Sequence, residues 1–193
     1  LLAGDVTFDR WAGFVLDVPL LFTEIGGTFR PAPGVTFREW MARGLHGHYP
    51  TLHEWDVHIS TVFTEARMKR FIEVRGADAN PTPLALAVPA VWKGLLYDSD
   101  ALHAAVDLAG EFPPAELVAL SGAAARDGLR AAHRGKPLAD WCREVVAIAD
   151  AGLRRGDRPA EAAFLDPLRE VVATGRSPGD RWPVGGGVAA VLA

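Results

Sequence analysis

The residues with the most chemical potential sit close together. Glu73 and Arg75 are two apart, and Arg67 and Lys69 precede them in the segment Arg67–Arg75, RFIEVR at its end. Alternation of apolar and charged side chains predicts a single strand here. Successive side chains point to opposite faces, so Arg67, Lys69, Phe71, Glu73 and Arg75 share one face. Met68, Arg70, Ile72 and Val74 share the other. A glutamate is a hard oxygen ligand of the kind Mg²⁺ takes. The planar fork of an arginine matches a phosphate or a carboxylate. The two together suit phosphoryl transfer from a nucleotide. The plainer alternative is a solvated sheet face with cross-strand ion pairs, and periodicity alone favours it.

The surrounding elements must hold that strand. Phe14–Phe22 and Thr28–Arg30 read as two strands joined by Gly26-Gly27, with Pro19 marking an edge or bulge. Thr36 with Glu39, and Thr51 with Glu54, are capping boxes that predict helices to about Ala42 and over Leu52–Phe63. Downstream the pattern is helical, at about 84–97, 99–110, 114–130, 136–154 and 158–174. Pro89 and Pro167 are possible break points, and Pro113-Pro114 is a start signal. The tail from Gly175 reads as irregular. Strands first and helices afterwards predict an α+β fold. Three strands are few for so many helices, so further strands are expected upstream. Residues 1–193 read as one portion of a single catalytic domain, its strands within about 14–75 and its helices within about 84–174.

Composition narrows the function. The net charge of −4 argues against a general nucleic-acid binder. Apolar runs such as Leu84–Trp92 are too short and Pro-interrupted to span a bilayer. A single cysteine, Cys142, excludes an internal disulfide and reads as packing. These features predict a soluble, cytoplasmic protein. Its oligomeric state is not encoded in any visible pattern.

Other signals are weaker. His46, His48, His53 and His58 form a short cluster, but His53 and His58 diverge on a helix and no cysteine is near, so zinc is disfavoured. A hydrogen bond from His58 at a helix–strand junction is the better reading. Asp78 and Asn80 fit a turn held by Asx-type bonds. Trp40, Trp55, Trp92 and Trp141 read as core anchors. Gly185–Gly187 lacks the lysine and helix of a phosphate loop.

The stretch from His53 to Pro81 resembles the signature of the plant-type glutamate–cysteine ligases of plants and many bacteria. The matching residues are Trp55, His58, Thr61, Phe63, Glu65, Arg67, Lys69, Arg70, Glu73, Arg75 and Gly76-Ala77-Asp78. The similarity continues at Leu16–Pro19, Pro89–Asp98, Arg143–Leu153, Phe164-Leu165 and Gly175–Pro178. It covers only the carboxyl-terminal half of that family. The resemblance implies a glutamine synthetase-like fold, a curved antiparallel sheet with helices outside. It implies ATP and Mg²⁺ as cofactors, glutamate and cysteine as substrates, and γ-glutamylcysteine, made through a γ-glutamyl phosphate, as product. That is the first step of glutathione biosynthesis.

By the same resemblance Glu73 holds Mg²⁺ and Arg75 is catalytic, on the transferring phosphoryl group or the acyl-phosphate intermediate. Arg67 and Lys69, earlier on the same strand face, are candidates for binding substrate or nucleotide charge. Glu73 and Arg75 are thereby expected to face a cavity shared with the Mg-nucleotide. The chain reads as a fragment that is inactive alone. Two other functions fit the residues: a glutamate ligase using another amine, and a non-catalytic helical interaction module.

Overall fold

The computed structural model describes residues 7–32 and 34–181. Gly185–Gly187 and most of the expected irregular tail lie outside them. The chain divides into two compact units, Leu1–Ala77 and Asp78–Ala193. The described fold is α+β: helices with small two-stranded antiparallel sheets.

The first unit opens with a helix where a strand was expected. Helix α1, Phe8–Asp17, is capped by the Thr7 hydroxyl, which accepts from the Arg10 N–H. Trp11, Phe14, Val15 and Val18 follow the i, i+3, i+4, i+7 spacing of an apolar helix stripe. The alternation within Phe14–Phe22 was therefore the tail of a helical period. The hairpin itself forms later. Strands β1, Phe22–Ile25, and β2, Thr28–Pro31, are joined by Gly26-Gly27. Both glycines have positive φ, 58° and 75°, as a two-residue hairpin turn of matching twist requires.

Helices α2, Phe37–Arg43, and α3, Leu52–Thr61, begin at the two expected capping boxes. At the first, the Thr36 N–H donates to Glu39 and the Glu39 N–H donates back to the Thr36 hydroxyl. Arg38 fastens α2 to α1 with a forked pair to Asp17, 2.6 and 3.1 Å. Two apolar clusters fill this unit. Trp11 and Val15 pack with Ile59 and Val62, and Phe37 and Trp40 pack with Leu20. Trp55 touches both clusters, which makes it the hinge of the core.

The expected strand Arg67–Arg75 is a tight hairpin instead. Strand β3, Ala66–Met68, and strand β4, Ile72–Val74, pair antiparallel with Arg67 opposite Glu73 and Met68 opposite Ile72. Residues 69–71 turn the chain, and the Lys69 N–H donates to the Phe71 carbonyl at 2.9 Å. A further bond from the Arg75 N–H to the Glu65 carbonyl, 2.8 Å, extends the ladder. Residues directly opposite share a face, so the parity inferred for Arg67 and Glu73 survives the fold-back.

The second unit is mostly helical. Its helices are α4 (Thr82–Leu96), α5 (Ser99–Gly110), α6 (Pro114–Asp127), α7 (Leu138–Arg155) and α8 (Asp166–Thr174). Pro89 lies inside α4 without ending it. The element expected at 158–174 is broken instead, into a 3₁₀ segment, Pro159–Leu165, and α8. A small hairpin, β5 (Ala132–His133) and β6 (Lys136–Pro137), was not anticipated and places strands outside the expected 14–75 range. Helices α4 and α7 cross at Gly94 and Gly152, with Leu95, Val146, Leu153 and Leu165 packed around them. Of the four tryptophans read as anchors, Trp40 is buried, but Trp92 is 38% exposed and lies at the surface.

Candidate active site

The candidate site is the β3–β4 hairpin and the end of α3 beside it. Arg67 is buried by this packing, its side chain only 10% exposed. Its Nε and Nη2 both donate to Glu73 Oε2, at 2.9 and 2.7 Å. Its Nη1 donates to the Ser60 carbonyl at 2.5 Å. That carbonyl lies in the last turn of α3, where backbone oxygens lack helical partners. Lys69 reaches the same residue through a 2.9 Å bond from Nζ to Ser60 Oγ.

Glu73 is half-buried. The Arg67 hydrogen bonds hold its carboxyl below the usual carboxylate range against the opposing effect of burial, and the charges of Arg67, Arg75 and Lys69 add to the shift. Three cations thus act on one carboxylate, which leaves the patch net positive and suited to an anion. Arg75 lies with its guanidinium carbon 5.1 Å from the centre of the Phe63 ring. Its Nη1 is buried and has no hydrogen-bond partner. A buried cationic donor left without an acceptor is expensive, and a phosphate oxygen would satisfy it.

The hairpin brings Arg67, Lys69, Glu73 and Arg75 into one charged neighbourhood. It does not put them into one cavity. A cleft of about 560 Å³ is walled by Trp11, Trp55, Ser60, Met68, Lys69 and Phe71, among others. Lys69 is in its wall; Glu73 and Arg75 are not. The expected shared cavity is therefore not formed by the described residues. Ser60 links the two regions, because Arg67 binds its carbonyl and Lys69 its hydroxyl.

Sequence reasoning assigned no role to three participants. The Ser60 carbonyl anchors Arg67, and a main-chain oxygen carries no sequence signal. Phe63 supports Arg75. Glu65 Oε2 sits 2.7 Å from where a Cβ on Gly76 would lie, so a side chain there would displace the Glu65 carboxylate. The pattern around Glu65 and Gly76 was visible, but its meaning depends on the fold-back.

The histidines go to separate partners. His48 Nε2 lies 3.2 Å from Glu54 Oε1, and His53 lies 3.6 Å from Glu24. His58 is buried, stacks on Phe37 and donates from Nε2 to the Val15 carbonyl at 2.9 Å. It thus ties α3 to α1, not to the strand that follows. Burial lowers its pKa, and the Val15 bond opposes that shift only in part. A lowered folded-state pKa means that the unfolded chain binds the proton more readily. Stability therefore falls as pH drops from the ordinary value of 6.5 towards the lower folded value. The urea midpoint should fall between pH 7.5 and 5.5, and His58→Gln, whose amide can still donate to Val15, should flatten that dependence. An equal slope in the variant would assign it elsewhere.

Glu54 titrates in a different window. Burial pushes its carboxyl up, but the Thr51 hydroxyl and amide, with His48, hold it at about 2. Its contribution is complete above the ordinary 4.5 and is lost as pH falls towards about 2. The difference corresponds to about 3 kcal/mol.

The fit of Mg²⁺ to this patch can be judged from its donors. Among the described residues no three His, Cys, Asp or Glu side chains converge on a metal-sized site. The described residues therefore do not build a cage. Mg²⁺ needs only one or two protein carboxylates and fills its other positions with water and phosphate oxygens. Both Arg67 bonds fall on Oε2 of Glu73, so Oε1 remains as a single donor that fits this requirement.

Comparison with known proteins agrees with the resemblance in the sequence. The chain belongs to Glutamate-cysteine ligase family 2 (GCS2), which matches residues 3–183. It is 38% identical over 177 residues to the chloroplastic glutamate–cysteine ligase of Brassica juncea, covering 90% of this chain and 34% of that protein. The Arabidopsis thaliana enzyme is 38% identical over 178 residues, again 90% of this chain and 34% of the relative. The Solanum lycopersicum enzyme is 35% identical over the same length and shares. The chain spans about a third of the length of the curated relatives it matches. These relatives are chloroplastic by name, which corrects the expectation of a cytoplasmic protein. No described helix is long and apolar enough to cross a membrane.

Proposed function

We propose that the protein carrying this chain is an ATP-dependent glutamate–cysteine ligase, with Glu73 and Arg75 in its phosphoryl-transfer site. Family membership supports the reaction. The observation that carries the site is the buried, unpartnered Nη1 of Arg75, two residues from a carboxylate held ionised by Arg67.

In this reading a γ-carboxylate oxygen of glutamate attacks the terminal phosphorus of ATP, and ADP leaves. The amine of cysteine then attacks the acyl carbon, phosphate departs, and the nitrogen loses a proton. Arg75 binds the phosphoryl oxygens while their charge redistributes. Glu73, through Oε1, is the chain's ligand for Mg²⁺, which neutralises phosphate charge when bound. Lys69, in the wall of the cleft, supplies positive charge for nucleotide or substrate.

The β3–β4 hairpin is proposed as part of a larger antiparallel sheet of the glutamine synthetase type. A two-stranded hairpin is marginal by itself, and Phe71 and Ile72 are 63% and 68% exposed. Both facts support further strands from elsewhere in the protein.

The test is ATP-dependent γ-glutamylcysteine formation by the complete protein. Glu73→Gln keeps shape and removes charge, and turnover should fall about a hundredfold or more with unchanged circular dichroism. Undiminished turnover would remove Glu73 from the site. ADP release measured over a panel of amines identifies the second substrate, and a preference for another amine would replace cysteine in the reading. Absence of Mg-ATP binding by the complete protein would favour a non-catalytic module.

A further inference from the structure

Arg67 was expected to bind substrate or nucleotide charge, yet its geometry commits it elsewhere. All three of its nitrogens are engaged within the unit: Nε and Nη2 on Glu73 Oε2, and Nη1 on the Ser60 carbonyl. The side chain is buried in that position. A guanidinium so placed has little left to offer a ligand. It has much to offer Glu73, because two donors from a rigid fork converge on a single oxygen.

We propose that Arg67 is a positioning residue that makes Glu73 a one-oxygen metal ligand and thereby favours Mg²⁺ over Ca²⁺. With Oε2 held by Arg67, only Oε1 can reach a cation. Mg²⁺ is small, demands near-octahedral order and accepts single carboxylate oxygens readily. Ca²⁺ is larger and often takes both oxygens of one carboxylate. Release of Oε2 would permit two-oxygen binding and relax the selection. The Ser60 carbonyl is the fixed point of the device: it belongs to α3, so the orientation of Glu73 is referenced to a helix and not to the hairpin alone. A partner that orients a metal ligand typically matters by about ten- to a hundredfold in affinity. The inference rests on the reading of Glu73 as a metal ligand.

The experiment uses the complete protein and binding alone, without turnover. Mn²⁺ is bound and followed by its free-ion paramagnetic resonance signal, and Mg²⁺ and Ca²⁺ are titrated as competitors. Arg67→Gln removes the fork, and Arg67→Lys keeps the buried charge but cannot place two parallel donors. Both should weaken Mg²⁺ competition about tenfold and lower the Mg²⁺/Ca²⁺ preference by a similar factor. An unchanged preference in the folded Lys variant overturns the proposal. So does weakened binding of ATP measured without divalent metal, which would make Arg67 a direct nucleotide contact. Failure of both variants to fold would make Arg67 purely structural and would also overturn it. Glu73→Gln separates the two layers: metal affinity unchanged in that variant sinks the metal reading itself, whatever Arg67 does.

Discussion

Replacement of Gly152 by alanine is expected to destabilise the helical unit by about 3 kcal/mol or more. The reason is a backbone contact. A Cβ on Gly152 would fall 2.0 Å from the Gly94 carbonyl oxygen and 2.9 Å from Ala101 Cβ. The reciprocal substitution at Gly94 would put a Cβ 2.2 Å from the Ala149 carbonyl oxygen. Neither obstacle is a flexible side chain that could swing aside. Helices α4 and α7 would have to separate, and Leu95, Val146 and Leu153 would lose packing along the whole seam. Intrinsic propensity works the other way, since alanine is favoured over glycine in a helix by about 1 kcal/mol. The clash exceeds that gain.

Gly122 in α6 is the control. Its nearest obstacle is the end of the Arg126 side chain at 3.7 Å, so Gly122→Ala should be neutral or mildly stabilising. Denaturant midpoints of the three variants decide the matter. A Gly152→Ala protein with the native midpoint would show that the crossing is looser than described. Gly94→Ala and Gly152→Ala together should cost less than their sum, because the first substitution already opens the shared contact.

Such close approaches mark what a linear reading can and cannot recover. The capping boxes at Thr36 and Thr51 were legible because each is a local pair of residues satisfying helix-end amides. Gly26-Gly27 was legible for a similar reason: the turn's positive φ values restrict it to few residue types. The β3–β4 turn had no such mark. Lys69, Arg70 and Phe71 are ordinary strand residues, and only the pairing of Arg67 with Glu73 and the Lys69–Phe71 backbone bond reveal the reversal. Helix α1 was missed because its last turn, read from Phe14, imitates alternation; including Trp11 restores the helical period. The face shared by Arg67 and Glu73 was correct under either reading, since the two have the same parity along a strand and stand opposite one another in the hairpin. What each charge does on that face was not legible. Arg67 is spent on Glu73, and Arg75 on Phe63, through contacts that exist only after folding.

That last distinction leads to the second large effect. In the proposed ligase reaction, Arg75→Ala is expected to lower turnover of the complete protein about a thousandfold, in the range found when a donor to developing charge is removed. The argument starts from what holds Arg75. Phe63 offers a flat ring under the guanidinium, and the Arg75 N–H fixes the backbone to Glu65. Neither contact satisfies Nη1, which is buried without an acceptor. A structural arginine would use its donors within the fold, as Arg67 does. A donor kept unpaired and already oriented needs no rearrangement when charge develops beside it, and such preorganisation is what lowers a barrier. Arg75→Lys discriminates between charge and shape. Lysine keeps the positive charge but loses the planar fork and its stacking on Phe63. It should recover part of the substrate affinity and little of the turnover, so the deficit would fall on kcat more than on KM. Phe63→Leu should show a milder version of the same pattern, since the ring orients the group without touching substrate. If Arg75→Lys were as active as the native protein, a diffuse positive charge would suffice and the directed donor would have no role. If Arg75→Ala lost its fold along with its activity, Nη1 would be serving the hairpin and not the reaction. A folded, inactive Ala variant beside a folded, poorly active Lys variant is the outcome that the geometry requires.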